Sequence, residues 1–503
     1  MSVEPAFPPS LASAVKQRSR AGRNWGLLLA LAIFASILAL PPLEGLPPAG
    51  QRMLAVFGFA VAVWVTDALE YPVSAAVITG LIAVLLGTSP DPAKPQLIIG
   101  TTKGLTSAIS GFSNPALVLV AAAMFLAAAM TITGLDRRIA LILLAKAGAR
   151  VSRIMLASIL VATVLAFLVP SSTARAAAIV PIITGVVLAC GVEKRSRLAG
   201  LLMITTVQAV SIWNVGIKTA AAQNMIATGF IEKLTGHDIT WSSWFIAAAP
   251  FSVTLSAGLY FLMMIMMPPE AKEVPGGAAS VAKALRELGP ATSKEMRLAA
   301  IFVILLGFWA TEGILHKIDS ATVTIIAVAL LFMPIIGVMD WKRASPLVPW
   351  GTIILFGVGI GLGTALLQTD AASWLADFIV RGTGLGELTP LGVFAVLAAF
   401  LIVIHLGFAS ATALAAAMIP IVIAILKKLP VPGIEVFGMT LLLQFVISFG
   451  FILPVNSPQG MIAFGTDTLS TRDFFRTGLA LTALAYALTL LFAASYWRWL
   501  GYL

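Results

Sequence analysis

The sequence predicts an all-α polytopic membrane protein, with about eleven transmembrane helices and two re-entrant hairpins arranged as an inverted repeat. Three observations predict this fold class. Only 11% of the 503 residues are charged and 59% are hydrophobic, whereas roughly 25% are charged in an ordinary soluble domain. Four long segments carry no charge, and about 20 apolar residues suffice to cross a bilayer as a helix. These segments are 104–135, 239–269, 344–369 and 436–466. The third observation is a motif that occurs once in each half of the chain.

The composition also excludes several classes of function. A soluble enzyme could not cover its surface with so few charges, and the single cysteine, Cys190, admits no intramolecular disulfide. The three histidines, His237, His316 and His405, are too widely spaced in the sequence to indicate a metal site. The net charge of +10 normally reports the orientation of a polytopic protein rather than a nucleic-acid partner. We therefore expect a bilayer around the chain, no nucleic-acid partner and no cofactor.

Residues 1–24 are predicted to form a cytoplasmic tail, because basic residues precede the first apolar run. These residues are Lys16, Arg18, Arg20 and Arg23. The uncharged run 24–43 is longer than the apolar part of a usual signal peptide, and no small-residue cleavage site follows it. We therefore expect a retained first span and a multi-pass protein of a bacterial inner membrane.

The first half of the chain is assigned to residues 25–269. Its predicted spans lie at 26–43, 52–67, 71–89, 115–135 and 241–267, with two apolar arms at 154–174 and 176–192 and an interrupted span at 198–231. Between them, residues 137–150 have an apolar face and four positive charges, a pattern typical of a helix along the membrane surface. Residues 270–297 form a polar linker with nine charges.

The second half, residues 298–503, repeats this order. Its predicted spans lie at 298–316, 320–339, 346–366 and 477–497, with a shorter stretch at 372–381, arms at 388–408 and 413–426 and an interrupted span at 436–466. Five crossings then separate the two pairs of arms. An odd number of crossings predicts that the halves are inverted relative to each other.

The interruptions carry the repeated motif. Residues 171–182 and 410–421 are identical at eight of twelve positions, in the pattern S-x-T-A-x-A-A-A-x-x-P-I. A second pair of interruptions, 214–224 and 450–460, lies inside the long apolar spans downstream. Duplicated breaks at matching places are typical of secondary transporters.

A broken helix is tolerated inside a membrane only where it lines a polar cavity. Such breaks expose helix N-termini, each with unpaired N–H donors and about half a positive charge. Hydroxyl side chains at both motifs can cap these helices and reach a ligand. They are Ser171, Ser172, Thr173, Ser410 and Thr412. The sequence therefore predicts a site for an anion.

With these motifs the chain resembles the divalent anion/sodium symporter family, which includes dicarboxylate, citrate and sulfate carriers. The resemblance extends from about Arg23 to the C-terminus. The motifs at 171–182 and 410–421 are similar to the family's Ser-Asn-Thr tips, and residues 219–224 and 457–460 are similar to its G-T-P-P-N breaks. The resemblance implies a homodimer in which a transport domain moves relative to a scaffold. The anion site predicted above would lie at these tips and breaks.

The chain departs from the family pattern at the groups that help to form the family's two sodium sites. The tip Asn is replaced by Ser172 and Ala411, and the break Asn is kept as Asn224 but replaced by Gly460. Vestigial sodium sites would then lie near Ser172, Gly216 and Ala411, and sodium coupling stays open.

Three basic residues occur at or next to the breaks: Arg175, Lys218 and His405. An Arg or Lys at mid-membrane costs roughly 2.5–3.5 kcal/mol on insertion scales and usually has a function. We therefore expect fixed positive charges to replace sodium in a sodium-independent exchanger of small C4-dicarboxylate-like dianions. The alternative is a sodium-coupled dicarboxylate, tricarboxylate or sulfate symporter. The predicted substrate-binding residues are Ser171, Ser172, Thr173, Arg175, Lys218, Asn224, His405, Ser410, Ala411, Thr412, Asn456, Ser457 and Pro458.

Blander interpretations exist for these basic residues. Arg175 could snorkel from a hairpin tip to the interface, and His405 could be a neutral core histidine bonded to a carbonyl. A channel would share the apolar spans, but duplicated mid-membrane breaks favour alternating access. An intramembrane enzyme would need paired catalytic groups, and no acid lies beside His405 and Ser410 in the sequence.

Overall fold

The computed structural model describes residues 20–91, 94–189, 193, 195–274 and 276–503. Within this part of the chain the secondary structure is helical apart from one antiparallel pair of short strands, β1 (Pro90–Asp91) and β2 (Lys94–Ile98). Ten of the described helices are long and apolar enough to cross a membrane. The prediction of an all-α polytopic membrane protein is confirmed. Cys190 and most of the predicted N-terminal tail lie outside the described residues.

Helices α1 to α11 form the first half. They are α1 (Arg20–Ala39), α2 (Pro48–Thr66), α3 (Tyr71–Gly87), α4 (Thr101–Ile109), α5 (Pro115–Thr133), α6 (Leu135–Ala145), α7 (Val151–Leu168), α8 (Ser172–Ala189), α9 (Arg197–Gly216), α10 (Ala222–Thr235) and α11 (Trp241–Met266). The short helix α4 was not predicted.

Helices α12 to α23 complete the chain. They are α12 (Gly277–Glu287), α13 (Ser293–Thr311), α14 (Ser320–Phe332), α15 (Trp341–Ala344), α16 (Trp350–Gln368), α17 (Ala371–Thr383), α18 (Pro390–His405), α19 (Ala411–Lys428), α20 (Val436–Ile447), α21 (Pro458–Phe464), α22 (Thr471–Ala494) and α23 (Tyr496–Trp499).

The two halves have the same order of elements around their breaks. Helices α7, α8 and α9 begin at Val151, Ser172 and Arg197, and α18, α19 and α20 begin 239 residues later, at Pro390, Ala411 and Val436. We call α7–α8 the first hairpin and α18–α19 the second hairpin. The first break is residues 217–221, between α9 and α10, and the second break is residues 448–457, between α20 and α21. The inverted orientation of the halves stays a prediction.

The turn of the first hairpin lies earlier than predicted. The sequence placed Arg175 between the two arms, but α7 ends at Leu168 and α8 begins at Ser172. Pro170 explains the shift, since it lacks an N–H and disfavours helical geometry in the residue before it. Arg175 therefore lies in the first turn of α8, where its N–H donates to Ser171 O over 3.0 Å.

Helix α9 is at the centre of the molecule. Every residue from Leu198 to Gly216 is buried, and α9 packs against α7, α8 and α11. A helix that is buried all round is a core element. This packing holds the first break deep inside the protein.

The predicted linker 270–297 contains α12, which packs against α6 and α8. Nearby, Arg138 Nε donates to Glu295 Oε1 over 2.6 Å, and its Nη1 donates to Gly289 O over 2.9 Å. The two charged side chains are only 11% and 4% exposed. This ion pair joins α6, next to the first hairpin, to the start of α13.

We expect Arg138→Ala to lower the free energy of unfolding by about 3 kcal/mol, because it leaves the Glu295 carboxylate buried without its cation. The matched control is Arg150→Ala, which removes the exposed 3.8 Å pair with Glu273 and should cost no more than about 1 kcal/mol. Thermal unfolding of both variants in detergent measures the difference. Equal losses for the two variants would contradict a structural role for the buried pair.

Candidate functional site

A cavity of about 430 Å³ lies where the two hairpin turns and the two breaks meet. We call it the central cavity. Its lining includes 170–174 and 409–412 from the hairpins, and 221–223 and 456–459 around the breaks. Segments more than 200 residues apart in the sequence thus form one site.

Helices α8, α10 and α19 all begin at this cavity. The first residues of α8 and α19 are capped by hydroxyls, since Ser171 Oγ accepts from Ala174 N and Ser410 Oγ accepts from Ala413 N, both over 3.3 Å. The residue before α10 is Ala221, which provides no side-chain cap. Among the described residues, the N–H groups of Ala222 and Gln223 therefore have no side-chain acceptor and can bind an anion.

The lining of the central cavity suits a negatively charged ligand. None of the described lining residues is Asp or Glu. Hydroxyl groups contribute to the polar lining, and the helix N-termini add partial positive charge. The hydroxyl-bearing residues from the hairpin turns and the second break are Ser171, Ser172, Thr173, Ser410, Thr412, Ser448 and Ser457.

Arg175 lies behind this lining and is fully buried. Its Nη2 donates to Asn214 Oδ1 and, over 3.1 Å, to Ala220 O. Its Nε and Nη1 have no hydrogen-bond partner among the described residues. Because a guanidinium stays protonated in proteins, the first hairpin carries a fixed positive charge against the first break.

In the second half an asparagine joins the same two elements. Asn456, in the second break, donates through Nδ2 to the carbonyl oxygens of His405 at 2.9 Å, Leu406 at 3.3 Å and Phe408 at 3.0 Å. His405 lines the cavity, and its Nε2 is 3.3 Å from Asn456 O. The turn of the second hairpin is thus attached to the second break by a neutral amide.

Asn224 stabilises the first break from within. Its Nδ2 donates to Asn214 O over 2.6 Å and to Ile217 O over 3.1 Å. Its Oδ1 accepts from Gln444 Nε2 of α20 over 3.3 Å. Asn224 is fully buried and does not line the cavity, so its contacts organise the break.

Two glutamines in the cavity lining were missed by the sequence analysis. Gln223 Nε2 donates to Ser448 Oγ over 3.3 Å, and Gln459 Nε2 donates to Ser211 Oγ over 2.7 Å. Each glutamine is the second residue of the helix after a break, and each contacts a serine of the other half. Both glutamines were visible in register, since aligning Asn224 with Gly460 also aligns them.

The remaining predicted residues divide into two groups. Ala411 and Pro458 line the central cavity, and their contact with a substrate stays a prediction. Lys218 and Gly216 do not line it. The ammonium of Lys218 points to a different cavity, which is described below, and Gly216 packs against the Trp213 ring.

Known proteins resemble this chain over almost its whole length. The family model of the sodium:sulfate symporter transmembrane region matches residues 21–503. A membrane protein of Cupriavidus necator is 54% identical over 95% of this chain and 93% of its own length. The L-tartrate/succinate antiporter of Escherichia coli is 30% identical over 94% of this chain and 97% of its own length. The inner membrane protein YbhI of Escherichia coli is 28% identical, with shares of 95% and 98%.

A solved structure supports the fold. The YdaH transporter of Alcanivorax borkumensis superposes with a TM-score of 0.52 at 14% identity, and the match covers 88% of this chain and 98% of that chain. The predictions of a multi-pass inner-membrane protein and of a transporter rather than an enzyme are confirmed by these relationships. The chain belongs to the sodium:sulfate symporter family of divalent anion transporters.

Proposed function

We propose that the protein exchanges small organic dianions of the C4-dicarboxylate type by alternating access, without coupling to sodium. The observation that carries this proposal is the buried guanidinium of Arg175 between the first hairpin and the first break. From the resemblance to sodium symporters, a sodium ion would be expected between these two elements. The Escherichia coli relative named as an L-tartrate/succinate antiporter supports both the substrate class and the exchange mode.

Sodium binding at the first break is disfavoured for two physical reasons. Bound sodium in such transporters is coordinated by unwound backbone carbonyls, and here Ala220 O accepts from Arg175 while Asn214 O and Ile217 O accept from Asn224. A cation about 5 Å from the guanidinium would also be repelled by about 3 kcal/mol at an effective dielectric constant of 20.

In the second half, sodium binding is disfavoured by a neutral amide rather than by a fixed charge. The carbonyl oxygens of His405, Leu406 and Phe408 all accept from the Asn456 amide. A sodium ion at this turn would have to displace that amide. The proposed loss of sodium coupling therefore extends to both halves.

A dianion suits the charge of the site. The helix N-termini and Arg175 are positive, and no described lining residue neutralises them. The cavity volume of about 430 Å³ lies within the range of small-molecule sites and leaves room for a four-carbon diacid with ordered water.

The same charge explains why exchange is favoured over uniport. Moving the empty site would carry an uncompensated guanidinium through the low-dielectric interior, which is costly. A bound dianion lowers this cost because it compensates the positive charge. We therefore expect the loaded protein to reorient much faster than the empty one.

Counterflow in proteoliposomes tests the coupling mode. Uptake of labelled succinate should require unlabelled dianion inside the vesicles and should be the same in sodium and in potassium or choline buffers. Vesicles loaded with a monocarboxylate are the control for internal anions. Uptake that needs external sodium and ignores the internal substrate would favour the sodium-coupled symporter instead.

Arg175→Gln should reduce exchange by about 10- to 100-fold, since it removes the positive charge that attracts the dianion from behind the cavity lining. Glutamine keeps an amide donor toward Asn214 and Ala220, which favours correct folding, and Arg175→Lys should retain part of the activity. The control is Arg195→Gln, which removes an exposed cation paired with Asp467. Initial exchange rates, normalised to folded protein by gel filtration, provide the measurement. Unimpaired exchange by Arg175→Gln would contradict the proposed role of the charge.

A further inference from the structure

A second cavity, of about 640 Å³, lies on the other side of the first break. Lys218 lines this second cavity, whereas Ala221, Ala222 and Gln223 line the central cavity. The first break is thus a partition between the two cavities. Its exact position decides where the N-terminus of α10 points.

Lys218 takes part in a closed set of contacts at this partition. Its Nζ donates to Ile239 O, and Ile239 N donates to Glu232 Oε1 over 3.0 Å. The Lys218 Nζ and Glu232 Oε1 atoms are 4.0 Å apart. The lysine is 4% exposed and Ile239 is 2% exposed. Both polar backbone groups of Ile239 are therefore bonded by the charged pair.

The start of helix α11 contacts residues on both sides of Lys218. Trp244 Nε1 donates to Val215 O over 2.9 Å, and Trp241 Nε1 donates to Thr219 Oγ1 over 3.4 Å. Together with Lys218, these two donors attach the break to the start of α11. On the side of the central cavity the break is bonded by Arg175, at Ala220 O, and by Asn224, at Ile217 O, so Lys218 and the two tryptophans complete its attachment from the opposite side.

The charges of the second cavity do not suit a dianion. Its described lining residues include four acidic and two basic side chains, which are Glu232, Asp238, Glu312, Asp319, Lys218 and Lys317. The carboxylates outnumber the ammonium groups, so an approaching dianion is repelled. The charge of Lys218 is thus balanced by the protein itself.

We propose that Lys218 is a positioning residue rather than a substrate ligand. Paired with Glu232, it fixes the first break from the second cavity and so directs the N–H groups of α10 at the dianion. This inference rests on the proposed function in one respect, namely that the anion binds at the N-terminus of α10.

A double-mutant cycle of Lys218→Met and Glu232→Gln tests this role in counterflow assays. Each single substitution should raise KM for succinate by about tenfold, and the double variant should be no worse than either single one, because all three lose the same contact. Exchange at saturating succinate should stay within about twofold of the wild type. A raised KM with a nearly unchanged maximal rate would not result from a general loss of stability.

The two roles predict opposite results for Glu232→Gln. If Lys218 bound substrate directly, removing the neighbouring negative charge would leave KM unchanged or lower it, and only Lys218→Met would raise it. That outcome would overturn the proposal.

Lys317→Met is the matched control, because Lys317 lines the same cavity but is exposed. Its KM for succinate should not change. If Lys218→Met does not fold, Lys218→Arg and Glu232→Gln still distinguish the two roles. Lys218→Arg should have a near-normal KM, because arginine keeps the positive charge next to Glu232.

The cycle and the sodium test can fail independently. Sodium-driven uptake combined with coupled effects of Lys218 and Glu232 would reject sodium-independent exchange and retain the positioning role. Sodium-independent exchange with additive effects of the two substitutions would reject the positioning role and retain the exchange.

Discussion

Every polar backbone group in a membrane must find a partner inside the protein, and the two breaks show how this chain meets that requirement. Fixed N–H donors bond the carbonyl oxygens released where the helices stop: Arg175 and Asn224 in the first half, and Asn456 in the second. Within the described residues, the N–H groups of Ala222 and Gln223 at the start of α10 keep no side-chain acceptor. The proposed preference of the site for anions follows from this asymmetry between satisfied carbonyls and available N–H groups.

The proposed replacement of sodium ions by side chains has a consequence for transport. A sodium ion can leave the site and return with each cycle, but an arginine stays with the protein. In the proposed mechanism, the charge of the fully buried Arg175 helps to hold the dianion and also hinders movement of the empty site. Binding and obligatory exchange would thus follow from one residue, whereas the second half, with the neutral Asn456, contributes binding geometry without that charge.

Much of the site could be predicted from the sequence because the duplication marks it. The motifs at 171–182 and 410–421 predicted which hydroxyls meet, and the aligned breaks contained Gln223 and Gln459 in register. The turn of the first hairpin was placed too late because the charge of Arg175 was given more weight than Pro170. The partner of Arg175 could not be predicted, since Asn214 lies 39 residues away on a helix that is buried all round, so that no face is singled out by exposure.

Lys218 shows most clearly what could be predicted from the sequence and what required the structure. The sequence by itself determined that the chain spans a membrane and near which residues its helices break, because hydropathy, proline and N-capping residues act locally. That the breaks favour an anion stays a prediction. Only the tertiary structure decided which side of the first break each side chain faces. Helical periodicity ends at a break, so the direction of Lys218 is set by contacts with Ile239 and Glu232 rather than by its position in the sequence.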